Sequence, residues 1–150
     1  MSLSNKIPPP IVALIFGSLI YFSADLLPRL VFDYQNMLAV LFAVAGLAVF
    51  AAAIIPFVKL RTTVNPLAPK SATTLVTGGV FRFSRNPMYL AMLLLILGVW
   101  VFTGAISGIF LLPSFVAYIS IFQILPEEQA MGELFPEAYQ TYCKSVRRWI

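Results

Sequence analysis

Apolar and polar positions are laid out along this chain in long blocks rather than at short period. Four apolar runs stand out: Ile11 to Leu27, Met37 to Val58, Met88 to Phe102 and Ala105 to Leu125. A helix needs roughly 20 apolar residues to cross a hydrocarbon core of about 30 Å. The second and fourth runs meet that length. The first meets it once Pro8 to Pro10 lead into it, and its only charge is Asp25. The third is short, so it tilts little or ends below the far headgroups. The pattern predicts an all-α integral membrane protein with about four transmembrane helices, at approximately 9–27, 37–58, 87–102 and 105–125, in a single membrane domain of residues 1–150. The first run is read as a retained span rather than a signal peptide. Lys6 gives it a weak basic start, but no small-x-small cleavage site precedes Asp25-Leu26-Leu27-Pro28.

Two polar segments fall outside the spans. Residues 59–86 form a connector before the third helix, rich in the breakers Pro66, Pro69, Gly78 and Gly79. Asn65-Pro66 and Thr77-Gly78-Gly79 read as turns. A connector of that length is unusual in a compact bundle unless it is functional. Residues 126–150 form a tail. Pro126 suits the first position of a helix, which puts Glu127 and Glu128 in the first turn, where the helix dipole favours carboxylates. Met131, Leu134 and Phe135 fall on one face. Pro136 interrupts and restarts the helix, and Tyr139, Tyr142, Cys143 and Val146 make the next apolar stripe. The tail is therefore predicted to be an interfacial helix along the cytoplasmic surface, with Trp149 and Arg147-Arg148 in the headgroup zone.

Composition agrees with the membrane class. The chain is 60% hydrophobic and 11% charged, with a mean hydropathy of +0.90. It has no histidine, which excludes His-based metal sites, Ser-His-Asp triads and Cys-His dyads. A single cysteine excludes an internal disulfide and any CxxC site. The pI of about 9.5 resembles that of a nucleic-acid binder. The bases, however, are grouped beside apolar runs, which reads as topology and predicts a lipid bilayer, not nucleic acid, as partner. Lys6 precedes the first span, and Arg29 alone lies between spans one and two. Lys59, Arg61, Lys70, Arg82 and Arg85 lie between spans two and three, and Lys144, Arg147 and Arg148 follow the fourth. An even number of spans then gathers nine of the ten bases on one side. The positive-inside rule makes that side, with both termini, cytoplasmic, at the cell's inner or plasma membrane. No GxGxxG or P-loop is present.

The candidate chemistry lies in two short islands. Arg85-Asn86-Pro87-Met88-Tyr89 sits at the start of the third run, and Glu127-Glu128 directly follows the fourth. The intervening hairpin returns both to one membrane surface. Two readings are open. In one, the first island is a span boundary and the second a good helix start. In the other, Arg85, Asn86 and Tyr89 point polar atoms inward toward the carboxylates. Anions at the end of a span cost several kcal/mol if desolvated, so they need cations; Arg82, Arg85, Arg147 and Arg148 are on the same side. Arg147-Arg148 reads first as an anionic-lipid contact. Asp25 and Asp33 read as loop charges, Tyr139 and Tyr142 as packing residues, and Cys143 as a small apolar residue. Met92, Leu95, Ile96 and Phe102 read as lipid-facing or packing residues.

The set Arg85-Asn86-Pro87-Met88-Tyr89, two spans, Glu127-Glu128, then Leu134-Phe135, Tyr139, Tyr142 and Val146 resembles the isoprenylcysteine carboxyl methyltransferase family. That family, related to the phospholipid N-methyltransferases, carries R-H-P-x-Y before a helical hairpin and an E-E tail after it. Thr77-Gly78-Gly79-Val80-Phe81-Arg82 resembles the family's approach to the first motif. The likeness covers about Thr62 to Ile150. Asn86 replaces the family's histidine, Phe81 a tyrosine, and Pro136 a common glycine. Asn86 keeps hydrogen-bonding capacity but is neither a general base nor a charge. The resemblance implies S-adenosylmethionine as methyl donor, bound between the hairpin base and the tail. It implies Arg85, Asn86, Pro87, Tyr89, Glu127 and Glu128 as cofactor-binding residues, with Arg85 and Glu128, which can pair, as the catalytic ones. The implied acceptor is a carboxylate, thiol or amine, lipid-linked or small. A methyltransferase of small soluble thiols or amines, and a non-enzymatic small membrane protein, are the alternatives.

Overall fold

A computed structural model of the chain describes residues 7–60 and 74–150. The expectations that rest on Lys6, Arg61, Asn65-Pro66, Pro69 and Lys70 lie outside those residues. The described residues are helical, with no strand among them. In order come α1 (Pro9–Ser23), α2 (Gln35–Leu60), a 3₁₀ turn (Gly79–Arg82), α3 (Pro87–Thr103) and α4 (Gly108–Ile119). A π turn (Ser120–Ile124) follows, then α5 (Leu125–Leu134) and α6 (Pro136–Ser145).

The helix α3 lies at the centre, packed on α2, α1 and α4. Its approach to α2 is close because Gly98 has no side chain. A Cβ there would stand 3.2 Å from the Ala39 carbonyl oxygen. Small residues at such crossings let backbones meet where no hydrophobic force drives helices together in lipid. The main core joins Ile20 of α1, Ile96 of α3, and Phe115 and Ile119 of α4, each almost fully buried. The outer faces are the reverse of a soluble protein's. Leu14, Phe22, Met37 and Phe110 are each more than two-thirds exposed. Two helices, Gln35–Lys59 and Gly108–Leu134, are long and apolar enough to cross a membrane, while Pro9–Ser23 and Pro87–Thr103 are shorter apolar helices.

Four details depart from the sequence pattern. The first helix stops at Ser23, not Leu27, because the Ser23 hydroxyl bonds back to the Ile20 carbonyl and across to Ser107 Oγ at 2.6 Å. Asp25 then pairs with Arg29, and Pro28 blocks further helix. The fourth run does not start at Ala105: Gly104 takes a left-handed conformation (φ 63°), against which Leu30 N–H bonds at 2.8 Å, and helix resumes at Gly108.

The third departure is the largest. No new helix begins at Pro126. Helix runs on from Gly108 to Leu134 through the π turn. A proline inside an α-helix lacks its N–H and clashes with the carbonyl four residues back. Widening the turn just before Pro126 makes room for the ring without ending the helix. Glu127 and Glu128 therefore owe nothing to a helix N-terminus. The wide turn also carries Gln123, fully buried, whose amide donates to the Ile7 carbonyl at 2.9 Å and ties down the segment before α1. Fourth, the tail is not one helix over 126–150. Pro136 restarts it as expected, but α6 ends at Ser145. Its apolar stripe is used internally: Tyr142 and Val146 are buried against Ala53, Val76 and Phe81.

Candidate active site

The site is built at the start of α3. Pro87 supplies a fixed φ at the first helical position, where its missing N–H costs nothing. That pins Arg85 and Asn86 just outside the helix and Tyr89 one turn in. Asn86 N–H bonds Ser84 Oγ at 3.1 Å, and the Asn86 carbonyl accepts the Leu90 N–H at 3.0 Å, so the entry to the helix has one geometry.

The continuous helix through the π turn brings the carboxylates opposite. The Tyr89 hydroxyl donates to Glu127 Oε1. Arg85 Nη2 donates to Glu128 Oε1 at 2.8 Å. Arg148 adds a two-pronged grip on the same carboxylate, from Nε to Oε1 at 3.0 Å and from Nη2 to Oε2 at 2.7 Å. Glu128 thus sits between two guanidinium groups, with its side chain only 17% exposed and that of Arg85 13% exposed. Charge-assisted bonds of this kind are the strong ones. The pairing of Arg85 with Glu128 was foreseen from sequence. Arg148 is one of four cations open to the carboxylates but reads first as a lipid contact; the carboxylate receives it, while its neighbour Arg147 stays exposed. The hydrogen bonds that Arg148 donates to Glu128 raise its pKa above the ordinary value.

The tail closes the arrangement. Arg85 N–H donates to the Arg147 carbonyl at 3.0 Å, and Asn86 Nδ2 donates to the Arg148 carbonyl at 2.9 Å. The Tyr142 hydroxyl donates to the Phe81 carbonyl at 2.6 Å. Burial pushes the Tyr142 phenol up to about 12, and burial, then the charge of Glu128, raises Tyr139 as well. Both phenols therefore keep their protons through the neutral range. Tyr142 does more than pack, since it fastens α6 to the 3₁₀ turn.

These elements enclose a cavity of about 300 Å³, at the small end of the roughly 300–1,000 Å³ usual for small-molecule sites. Arg85, Asn86, Pro87, Tyr89, Glu127 and Glu128 all line it. Apart from Thr74 the rest of its wall is apolar or aromatic, with Phe50, Ile54 and Phe57 of α2, Phe81, Met92 and Tyr139 among its residues. Of the four α3 residues read as lipid-facing or packing, Met92 lines the cavity, Ile96 is core and Phe102 is exposed. The lining suits a ligand with hydroxyl or amino groups to donate to the carboxylates and a cationic or flat aromatic part for the rings. S-adenosylmethionine has all of these.

Comparison with known proteins fits this picture. The sequence model of the phospholipid methyltransferase family, which includes the isoprenylcysteine carboxyl methyltransferases, matches residues 34–138. That is well over half of the chain, and the chain belongs to this family of membrane methyltransferases. No curated protein and no solved structure matches it. The matched region holds both polar islands but stops before Arg148.

Proposed function

We propose, from that membership, that the chain is an S-adenosylmethionine-dependent methyltransferase with four membrane spans and both termini in the cytoplasm. The observation that carries the reading is the meeting of Arg85 and Tyr89 with Glu127 and Glu128 around one cavity, within a region matched to methyltransferases. The cofactor, when bound, supplies an electrophilic methyl group on a sulfonium. The protein's work is then alignment, water exclusion and charge placement rather than covalent chemistry. Glu127 and Glu128 accept hydrogen bonds from the cofactor's hydroxyl or amino groups. Arg85 and Arg148 hold Glu128 in place, and the aromatic wall shields the reacting centre from water. Tyr89 fixes Glu127 through its hydroxyl.

The acceptor is a carboxylate, thiol or amine. Among the described residues no imidazole exists to take a proton, which favours an acceptor that arrives already nucleophilic, such as a carboxylate or thiolate. The apolar α2 wall, from a helix whose outer face is exposed, suits an acceptor with a lipid tail. Detergent-purified protein is expected to bind S-adenosylhomocysteine by calorimetry and to move labelled methyl groups into a membrane-lipid and small-molecule extract. Folded protein that gives no heat at millimolar ligand would overturn the reading. Transfer into water-soluble thiols or amines alone would replace the lipid acceptor. For the topology, a cysteine placed at position 140 in a Cys143→Ser background is expected to resist membrane-impermeant labelling in intact cells.

A further inference from the structure

We infer that Asn86 is a positioning residue that acts through the C-terminal segment: it holds the backbone of Arg148 so that the Arg148 guanidinium is seated on Glu128. This rests on the reading that the cavity takes the cofactor. Asn86 occupies the N-cap of α3, where an asparagine ordinarily turns its side-chain oxygen onto the first helical N–H groups. Here it makes no such cap bond. Its amide instead reaches across 62 positions of sequence to the Arg148 carbonyl, at 2.9 Å. A helix start that forgoes its own cap in favour of a distant contact marks a position where local preference gives way to site geometry.

The contact has leverage because backbone and side chain belong to one residue. The Arg148 carbonyl is held by Asn86 and, at 3.4 Å, by Ser84 Oγ. The preceding carbonyl is held by Arg85 N–H at 3.0 Å. From that fixed point the Arg148 side chain makes both of its bonds to Glu128. A free arginine loses rotamer freedom when ordered, and an anchored backbone removes part of the further cost of bringing the segment in. Without the anchor, Glu128 keeps only Arg85. A carboxylate wall of the cavity then gains freedom exactly where a ligand needs it fixed. No proton transfer is assigned to position 86. A histidine there would place Nδ1 where Asn86 has Nδ2, and its N–H donates to the same carbonyl.

The test has two readouts. A nitroxide label at Ile150→Cys, in a Cys143→Ser background, reports the mobility of the tail by electron paramagnetic resonance; Ile150 is exposed and accepts it. S-adenosylhomocysteine affinity reports the cavity. Asn86→Ala is expected to mobilise the label and weaken binding about tenfold, while Asn86→His keeps the label immobile and affinity within about threefold. In an Arg148→Ala background, Asn86→Ala is expected to change affinity less than twofold, because residues that act through one another are not additive. Full additivity, or an unmoved label in Asn86→Ala, would overturn the inference and assign Asn86 to the ligand or to the helix start. Should Asn86→Ala not fold, Asn86→Asp replaces it, since it keeps the shape but has no N–H to donate to the Arg148 carbonyl, and an unmoved label there overturns the inference. If the wild-type protein binds no S-adenosylhomocysteine, the cofactor reading fails by itself, and the label still decides whether Asn86 anchors the tail.

Discussion

The two ends of the helical bundle each carry an arginine–carboxylate pair, and the two are unlike in every respect that matters. At one end, Asp25 and Arg29 are four residues apart, with side chains 83% and 49% exposed. At the other, Glu128 is gripped by Arg85 and Arg148, which are 43 and 20 positions away, and is 17% exposed. An exposed local pair contributes about 0.2–1 kcal/mol and is easily screened. Removing one partner of a buried pair costs about 3–5 kcal/mol, because it leaves an uncompensated charge. The first pair closes a turn. The second joins three distant segments through one carboxylate, on the wall of a cavity that both polar islands line.

The comparison breaks first at Glu128. Glu128→Ala strands the poorly hydrated Arg85 guanidinium and releases that of Arg148, which is more exposed. It is expected to lower the melting temperature in detergent and to weaken S-adenosylhomocysteine binding on the order of a hundredfold, as the loss of about 3 kcal/mol requires. Near-wild-type melting and binding would reduce the cluster to a surface contact like that of Asp25.

Arg85→Lys comes next. The charge remains, so insertion and topology are expected to be normal by protease protection. The planar fork is lost, and Arg85 Nε, buried with no partner of its own, is removed. Methyl transfer is expected to fall about tenfold to a hundredfold. Tyr89→Phe is gentler. It removes only the hydroxyl that orients Glu127, and affinity is expected to fall about tenfold, the usual worth of a bond to a charged acceptor. Calorimetry on both variants orders the two effects; a larger loss for Tyr89→Phe would move the centre of the site from Glu128 to Glu127.

The same contrast explains what could be read from the sequence. Apolar blocks, the restart at Pro136 and the Arg85–Glu128 pairing were legible. The first two are local, and in the third an anion at the end of an apolar run has few cations to choose from. Three features were not. Pro126 has every local mark of a helix start, yet the helix is already running from Gly108 and its packing through Ile119 and Ile124 sustains it across a widened turn. Arg148 lies beyond the last helix, where no periodicity places it; a second cation for Glu128 was the only available signal. Asn86 reads as pointing its polar atoms toward the carboxylates, and only the tail's path shows that its amide goes to the Arg148 carbonyl instead.

The smallest effect is the most useful control. Arg29 donates to Asp25 and, at 3.3 Å, to the Ala24 carbonyl, so it helps shape the turn between α1 and α2. Asp25 itself is mostly in solvent, and its loss leaves Arg29 hydrated rather than stranded. Asp25→Asn is therefore expected to change neither S-adenosylhomocysteine affinity nor methyl transfer by more than about twofold, and to shift stability by well under 1 kcal/mol. High salt should mimic it, since screening acts on exposed pairs and spares buried ones. The expected result is a melting temperature and affinity that hardly respond to Asp25→Asn, beside a strong response to Glu128→Ala under the same conditions. If Asp25→Asn impaired binding as severely, the two ends would be coupled through α3, and the cavity could not be treated as the property of one end alone.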